Sequence, residues 1–188
     1  MGARLREVIS RRVFFARGVL ASALAASRPL RAQISRALRY RPLSQRVVVP
    51  IDALSSPWRV RPFTAEAVTL ASAASPNQPI RVSGMIIRTA AGDRPEQFSA
   101  VCVRCPHELC DVDYVDDPKR LPPDVVSEIG RPVMEPVYVC PCHNSTFKVD
   151  GERLAGPAPR GLYRFRVTEV TATAVEIAEV EEDVLIFV

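Results

Sequence analysis

The sequence has few histidines, few cysteines and no long apolar run, and each shortage narrows the range of functions. A membrane-spanning helix needs about 20 apolar residues, whereas the uncharged stretch 18–27 has ten. After residue 46, no apolar pattern with the period of a helix continues for three turns. Outside one cluster of cysteine and histidine, no nucleophile, general base or phosphate-binding loop is recognisable. We therefore expect no independent catalytic activity.

Charge divides the chain into two parts at residue 46. Residues 1–46 contain 11 arginines and one acidic residue, Glu7, which gives a net charge of +10. The remaining 142 residues have 14 basic and 20 acidic side chains, a net charge of −6. This mildly acidic body argues against nucleic acid as a partner. The basic segment favours export or contact with a membrane surface.

The basic segment contains a possible export signal. Its sequence SRRVFFA at 10–16 resembles a twin-arginine signature, and the short uncharged stretch that follows suits a signal peptide. An amphipathic basic helix on a membrane surface is the alternative. We predict a twin-arginine signal or membrane anchor at 1–27, a basic linker at 28–46 and a folded domain at 47–188.

The folded part is predicted to be all-β. Short β-branched runs are bounded by Pro, Gly, Asp or Asn, which is typical of antiparallel strands; they lie at 46–51, 79–90, 96–105, 136–140, 162–167, 171–180 and 184–188. Asp150-Gly151 predicts a two-residue hairpin turn. A short helix is expected between Pro122-Pro123 and Gly130. The pattern indicates a small sandwich or barrel.

All five cysteines and both histidines lie between residues 102 and 143. Most belong to two boxes, CPHELC at 105–110 and CPCHNSTF at 140–147. Each box pairs a cysteine with a histidine, namely Cys105 with His107 and Cys140 with His143. Zinc would accept this set tetrahedrally. A [2Fe–2S] cluster would accept it with the cysteines on one iron and the histidines on the other.

The two boxes resemble those of the Rieske iron–sulfur family, whose pattern is Cys-x-His-x-x-Cys followed by Cys-Pro-Cys-His-x-Ser. The resemblance covers about residues 95–168. It implies a Rieske-type antiparallel β fold with a cluster-binding subdomain at about 102–160. It also implies a [2Fe–2S] cluster with Cys105 and Cys140 on one iron and His107 and His143 on the other.

The same resemblance assigns the other residues of the boxes. It implies a disulfide between Cys110 and Cys142, and a hydrogen bond from the Ser145 hydroxyl to a cluster sulfide. GPAP at 156–159 is similar to the proline-rich loop that covers the cluster in quinol-oxidising members. Cys102 has no counterpart, and we expect a small buried residue in a strand.

Several positions depart from the quinol-oxidising pattern. Glu108-Leu109 replaces Leu-Gly, and Phe147 replaces a tyrosine that donates to a cysteine sulfur. A negative charge near the cluster and the loss of that hydrogen bond should both lower its potential. Phe147 and Pro106 are also similar to the small subunit of arsenite oxidase. The acidic connection 111–139 is either a solvated surface loop or an insertion that docks to a partner.

The resemblance implies the iron–sulfur subunit of a cytochrome bc-type quinol:cytochrome c oxidoreductase. Its cluster domain would lie on the periplasmic side of the bacterial cytoplasmic membrane, with cytochrome b-type and cytochrome c-type subunits as partners. Quinol would be the electron donor, and His143 and His107 would face it. The main alternative is the small Rieske subunit of an exported oxidase such as arsenite oxidase.

Two further alternatives belong to other classes of protein. The ferredoxin of an aromatic-ring dioxygenase is disfavoured because such proteins are cytoplasmic and lack the extra pair Cys110 and Cys142. A zinc-stabilised binding module is the alternative without redox chemistry, and metal analysis would distinguish it.

Overall fold

The computed structural model describes residues 38–68 and 79–182. The predicted signal or anchor at 1–27 and the predicted strand at 184–188 lie outside these residues. Across the described ranges, no helix is long and apolar enough to cross a membrane.

The described chain is built from short strands, as the sequence predicts. In chain order these are β1 (Tyr40–Pro50), β2 (Val60–Val68), β3 (Pro79–Arg88), β4 (Phe98–Cys102), β5 (Asp113–Val115), β6 (Val137–Val139), β7 (Thr146–Lys148), β8 (Arg153–Ala155), β9 (Arg164–Val170) and β10 (Ala174–Glu181). A short helix, α1 (Pro123–Ile129), interrupts them. Single 3-10 turns lie at Ile51–Leu54, Pro95–Gln97 and Pro118–Arg120. The predicted all-β class is confirmed.

Six strands form a closed antiparallel barrel in the order β1-β10-β9-β4-β3-β2. Its interior is filled by apolar side chains, among them the fully buried Leu54, Ile86, Val175, Ile177 and Val180. Alternate residues of a strand point to opposite faces, so these positions face inward while polar neighbours such as Glu176 are partly exposed. Strand β4 of the barrel leads into the first cysteine box.

The other four strands form a second antiparallel sheet in the order β5-β6-β7-β8. Tyr138 and Phe147 lie on one of its faces, in a core that also contains Cys105 and Cys140. The other face, which includes Val137, packs against α1. This sheet carries the site, because the box at 140–147 begins after β6 and runs into β7.

The structure moves the start of the folded domain. Strand β1 begins at Tyr40, so residues 40–46 of the predicted linker form the first half of a barrel strand. Their basic side chains have partners far along the chain: Arg46 Nη1 lies 2.9 Å from Glu176 Oε2. The linker prediction is wrong for residues 40–46. Their arginines pair with acidic residues that are distant in the sequence, and these pairs form only when the barrel folds.

Two local predictions can be compared with the structure. Helix α1 follows Pro122 and ends at Gly130, whose φ of 66° suits a left-handed helix end. The hairpin at Asp150-Gly151 has a three-residue loop and not the predicted two, because the N–H of Lys148 donates to Glu152 O at 2.8 Å. Gly151, at φ 85°, is the third residue of this loop and adopts the left-handed backbone that the longer loop requires.

Candidate metal centre

The first cysteine box folds into a loop, residues 105–110, closed by two backbone hydrogen bonds. The N–H of Cys105 donates to Cys110 O at 2.9 Å, and the N–H of Leu109 donates to Cys105 O at 3.0 Å. Leu109 has φ 60°, in the left-handed region that few residues other than glycine adopt. The loop buries the Cys105 side chain completely, while Glu108 is exposed at its tip.

The second box folds into a matching loop, residues 140–145, between β6 and β7. The N–H of Cys140 donates to Ser145 O at 2.8 Å, and the N–H of Asn144 donates to Cys140 O at 3.0 Å. Asn144 has φ 57°, which asparagine tolerates better than most residues. Each loop therefore begins with a buried cysteine and ends its turn on a left-handed residue.

A disulfide between Cys110 and Cys142 joins the two loops, as predicted. The two residues are 32 positions apart in the sequence, and their Cα atoms are 6.5 Å apart. The bond leaves the other two cysteines of the boxes as free thiols. The covalent link keeps the two loops together, and their free cysteines lie in the same buried cluster.

These two thiols, on Cys105 and Cys140, are buried in the same core cluster. Burial raises the pKa of the Cys105 thiol, and the neighbouring Cys140 raises it further. Hydrogen bonding from the His107 backbone and from the Ser145 side chain acts to lower the same pKa. Two adjacent buried thiolates are costly without a cation, so the pair suits a metal whose charge stabilises both.

The two histidines meet on the outer side of the loops. Their ring centroids are 4.9 Å apart, with the rings nearly perpendicular. The ligand atoms of His107, Glu108 and His143 lie within 4.8 Å of one another, and the side chain of His143 is 46% exposed. Cysteines thus line the inner part of the site, and imidazoles its solvent side.

The His107 side chain gives independent evidence that the site binds a ligand. Its Nδ1 is buried and has no hydrogen-bond partner among the described residues. A buried polar atom without a partner costs about 1–3 kcal/mol, which a bond to a metal would offset. Two thiols and two imidazoles are the donor set of a histidine-ligated [2Fe–2S] cluster, so the residues fit that group. The assignment of each ligand to an iron stays a prediction.

Ser145 and GPAP at 156–159 pack together beside the second loop. The Ser145 side chain is fully buried, and its Oγ accepts a hydrogen bond of 3.0 Å from the N–H of Ala158. Gly156 allows this approach, since a methyl group on it would lie 2.4 Å from Ser145 Cα. The proline-containing segment therefore lies against the loop that carries Cys140 and His143. The predicted bond from Ser145 to a cluster sulfide stays a prediction.

Phe147 lies where the resemblance leads us to expect a tyrosine hydroxyl. It is fully buried on β7, directly opposite Tyr138 on β6. The Tyr138 hydroxyl is itself buried without a partner among the described residues, and burial raises its pKa. Phe147 cannot donate to a cysteine sulfur, and the lower potential expected from the sequence stays a prediction.

Sequence reasoning missed several supporting residues. Asn144 Nδ2 donates to Asp124 Oδ2 at 2.8 Å, which joins α1 of the connection 111–139 to the second loop. The buried Glu181, at the end of β10, pairs with Arg160 just after GPAP. No local sequence signal marks either pair, because each forms only in the fold. Cys102 is the buried strand residue that was expected.

Comparison with known proteins agrees with this site. The model of the Rieske [2Fe-2S] domain family matches residues 70–171. Among solved structures, the cyanobacterial plasma membrane Rieske protein PetC3 from Synechocystis PCC 6803 is similar at 20% sequence identity. That match covers 61% of this chain and 84% of that one, with a TM-score of 0.35. No curated protein sequence matches the chain.

Proposed function

The chain belongs to the Rieske [2Fe-2S] domain family, and on that premise we propose that it is the iron–sulfur subunit of a cytochrome bc-type quinol:cytochrome c oxidoreductase. Its redox role as a family member is electron transfer through an iron–sulfur cluster. When bound, a [2Fe–2S] cluster supplies one-electron chemistry. The remaining question is which molecules exchange electrons with it.

The observation that carries the proposal is the exposed imidazole of His143 next to buried thiols. The side chain of His143 is 46% exposed, whereas Cys105 and Cys140 are buried. A donor can therefore touch the site through a histidine and not through a sulfur. A quinol hydroxyl could donate a hydrogen bond to a ring nitrogen of His143, which would then hold the proton that quinol oxidation releases. His107 would line the same contact.

The disulfide supports the proposed location. The bond between Cys110 and Cys142 persists in an oxidising compartment, which is consistent with a cluster domain on the periplasmic side of the cytoplasmic membrane. The proposed partners are cytochrome b-type and cytochrome c-type subunits. The basic segment at 1–27, with its twin-arginine signature, would serve as signal or anchor.

A second candidate function is favoured by Phe147. Its buried ring offers no hydroxyl to the cysteine sulfurs, and a lower potential suits the small Rieske subunit of an exported oxidase such as arsenite oxidase. In that case the chain would be held by a large partner subunit and not by lipid.

A redox titration of the purified protein, followed by low-temperature electron paramagnetic resonance, tests the proposal. We expect the rhombic signal of a histidine-ligated cluster, a potential that depends on pH near neutrality, and reduction by a quinol analogue. The protein should stay with membranes, together with cytochromes, after washing at high salt. A low potential, no reduction by quinol and release with a large partner would favour the oxidase. Zinc without iron or sulfide would contradict both.

A further inference from the structure

The segment 156–161, which we call the proline loop, is anchored at both ends. At its start, Arg153 Nε donates to Gly156 O at 3.2 Å. Near its end, the guanidinium of Arg160 forms an ion pair with Glu181, the last residue of β10. The proline loop is therefore attached both to the second sheet and to the barrel.

Glu181 is unusual among the acidic residues. Its side chain is 3% exposed, and no other acidic residue in the described part of the chain is buried. Besides the pair with Arg160, its Oε2 accepts a hydrogen bond of 3.1 Å from the N–H of Arg164. Burying a carboxylate is costly unless charged and hydrogen-bonding partners compensate it. The buried Glu181 carboxylate therefore holds the Arg160 guanidinium in one position.

The middle of the proline loop contacts the metal centre through Ser145. The N–H of Ala158 donates to Ser145 Oγ at 3.0 Å, with both residues almost completely buried. A hydroxyl has one proton to donate and accepts on its lone pairs. Because the Ala158 amide occupies an acceptor position, the hydroxyl proton is directed elsewhere, and hydrogen bonding from Ser145 acts to lower the pKa of the neighbouring Cys105 thiol.

We propose that Glu181 is a positioning residue for the cluster site. By holding Arg160, it keeps the proline loop where the Ala158 amide orients the Ser145 hydroxyl toward sulfur. Glu181 touches neither the thiols nor the histidines, so it acts through the loop. The inference rests on the cluster-binding role of the site, and it is independent of the electron donor and acceptor.

The proposal predicts the sign of a change in potential. A hydrogen bond to sulfur stabilises the more negative, reduced cluster, so weakening that bond lowers the midpoint potential. Removing the Glu181 charge would by itself act through space in the opposite direction and raise the potential. The sign of the change in midpoint potential when Glu181 is neutralised therefore distinguishes a positioning role from a direct electrostatic effect.

The test is a redox titration of the cluster-loaded protein with Glu181→Gln. We expect the one-electron reduction equilibrium constant to fall about tenfold, which is about 59 mV. The matched control is Glu179→Gln, on the same strand, where an exposed pair with Arg166 at 2.6 Å is lost. That control should leave the potential unchanged or raise it slightly. A rise, or no change, in Glu181→Gln overturns the proposal.

A double-mutant cycle identifies the route of the effect. In a Ser145→Ala background, Glu181→Gln should no longer lower the potential. An equal drop in both backgrounds overturns the proposed route through Ser145. If Glu181→Gln does not fold, Arg160→Lys keeps the charge but lacks the planar guanidinium, and its drop in potential should likewise depend on Ser145.

Hydrogen exchange gives a readout that is independent of the cluster potential. The Ala158 amide should exchange slowly in the parent protein and at least tenfold faster in Glu181→Gln, while exchange in β3 stays unchanged. Equal protection of Ala158 in both proteins contradicts the positioning role. If the parent protein contains no cluster at all, the proposed function fails, and the exchange result still decides whether Glu181 holds the loop.

Discussion

Leu109 and Asn144 occupy the same position in the two loops that form the metal centre. Each donates its N–H to the carbonyl of the cysteine four residues earlier, at 3.0 Å. Each has a left-handed backbone, with φ 60° for Leu109 and φ 57° for Asn144. Asparagine adopts this conformation readily, whereas leucine does not. In the quinol-oxidising pattern that the first box resembles, glycine stands where this chain has Leu109.

The first prediction is that Leu109→Gly stabilises the protein. A left-handed leucine costs about 1–3 kcal/mol, and its side chain is 41% exposed, so its removal sacrifices little burial. Allowing for the flexibility that glycine adds to the unfolded chain, we expect the free energy of unfolding to rise by about 1 kcal/mol. Urea unfolding of the parent and the variant measures this free energy. Leu109→Ala is the control, because it shortens the side chain but keeps the strain; a glycine variant less stable than this alanine variant would refute the explanation.

The second prediction concerns the disulfide. Replacing Cys110 and Cys142 by alanine should lower the free energy of unfolding by about 3–4 kcal/mol, because the bond closes a loop of moderate length in the unfolded chain. The double variant should also bind iron less well, since the bond holds the two loops together. Cys102→Ala, which removes a buried free thiol outside the two cysteine boxes, should leave the iron content unchanged. Parent-like iron content and stability in the double variant would show that the loops meet without the bond.

The sequence is most informative where chemistry is local. Both boxes lie within 105–147, and they resemble the Rieske pattern, which implies the disulfide before any fold is known. The matching loop geometry adds only that Leu109 is strained. The family and the disulfide could be predicted because a cluster needs only a few donor atoms. The residue types that supply them are scarce in this chain and seldom lie close together by chance.

Sequence reasoning fails where partners are distant. Residues 40–46 resemble a linker until β1 pairs with β10 and Arg46 forms an ion pair with Glu176, 130 residues later. Glu181 follows two register irregularities between β10 and β9, and it is buried next to the buried Val180, so the simple alternation of the strand does not predict its burial. Its burial depends on Arg160 and on the path of the proline loop. Both the pairing of β1 with β10 and the burial of Glu181 depend on closure of the barrel, which no local sequence pattern encodes.

The third prediction is a loss of stability in alkali that depends on Tyr114. Burial raises the pKa of Tyr114 to about 12, with a smaller contribution from Asp116. The folded state holds the phenolic proton more tightly than the unfolded state, whose tyrosine has a pKa near 10. The resulting stabilisation is complete below about pH 10 and is lost as the pH rises toward 12.

Tyr114→Phe tests this dependence. The parent hydroxyl donates to Trp58 O at 3.0 Å, so its loss should cost about 1 kcal/mol at neutral pH. The decline in stability between pH 10 and 12 should become shallower, as urea unfolding at several pH values would reveal. Tyr138→Phe is the control at neutral pH, because its hydroxyl has no partner among the described residues. An unchanged alkaline slope in Tyr114→Phe would exclude Tyr114 as the titrating group.

The fourth prediction compares two glycines with positive φ, Gly156 at 87° and Gly130 at 66°. A methyl group on Gly156 would lie 2.4 Å from Ser145 Cα, whereas one on Gly130 would have nothing within 4 Å. Gly130→Ala should therefore cost about 1 kcal/mol of stability through backbone strain alone. Gly156→Ala should cost more and should lower the iron bound per chain, because the proline loop must move away from Ser145. Urea unfolding and iron analysis measure these effects, and equal losses in both variants would mean that the contact with Ser145 does not matter.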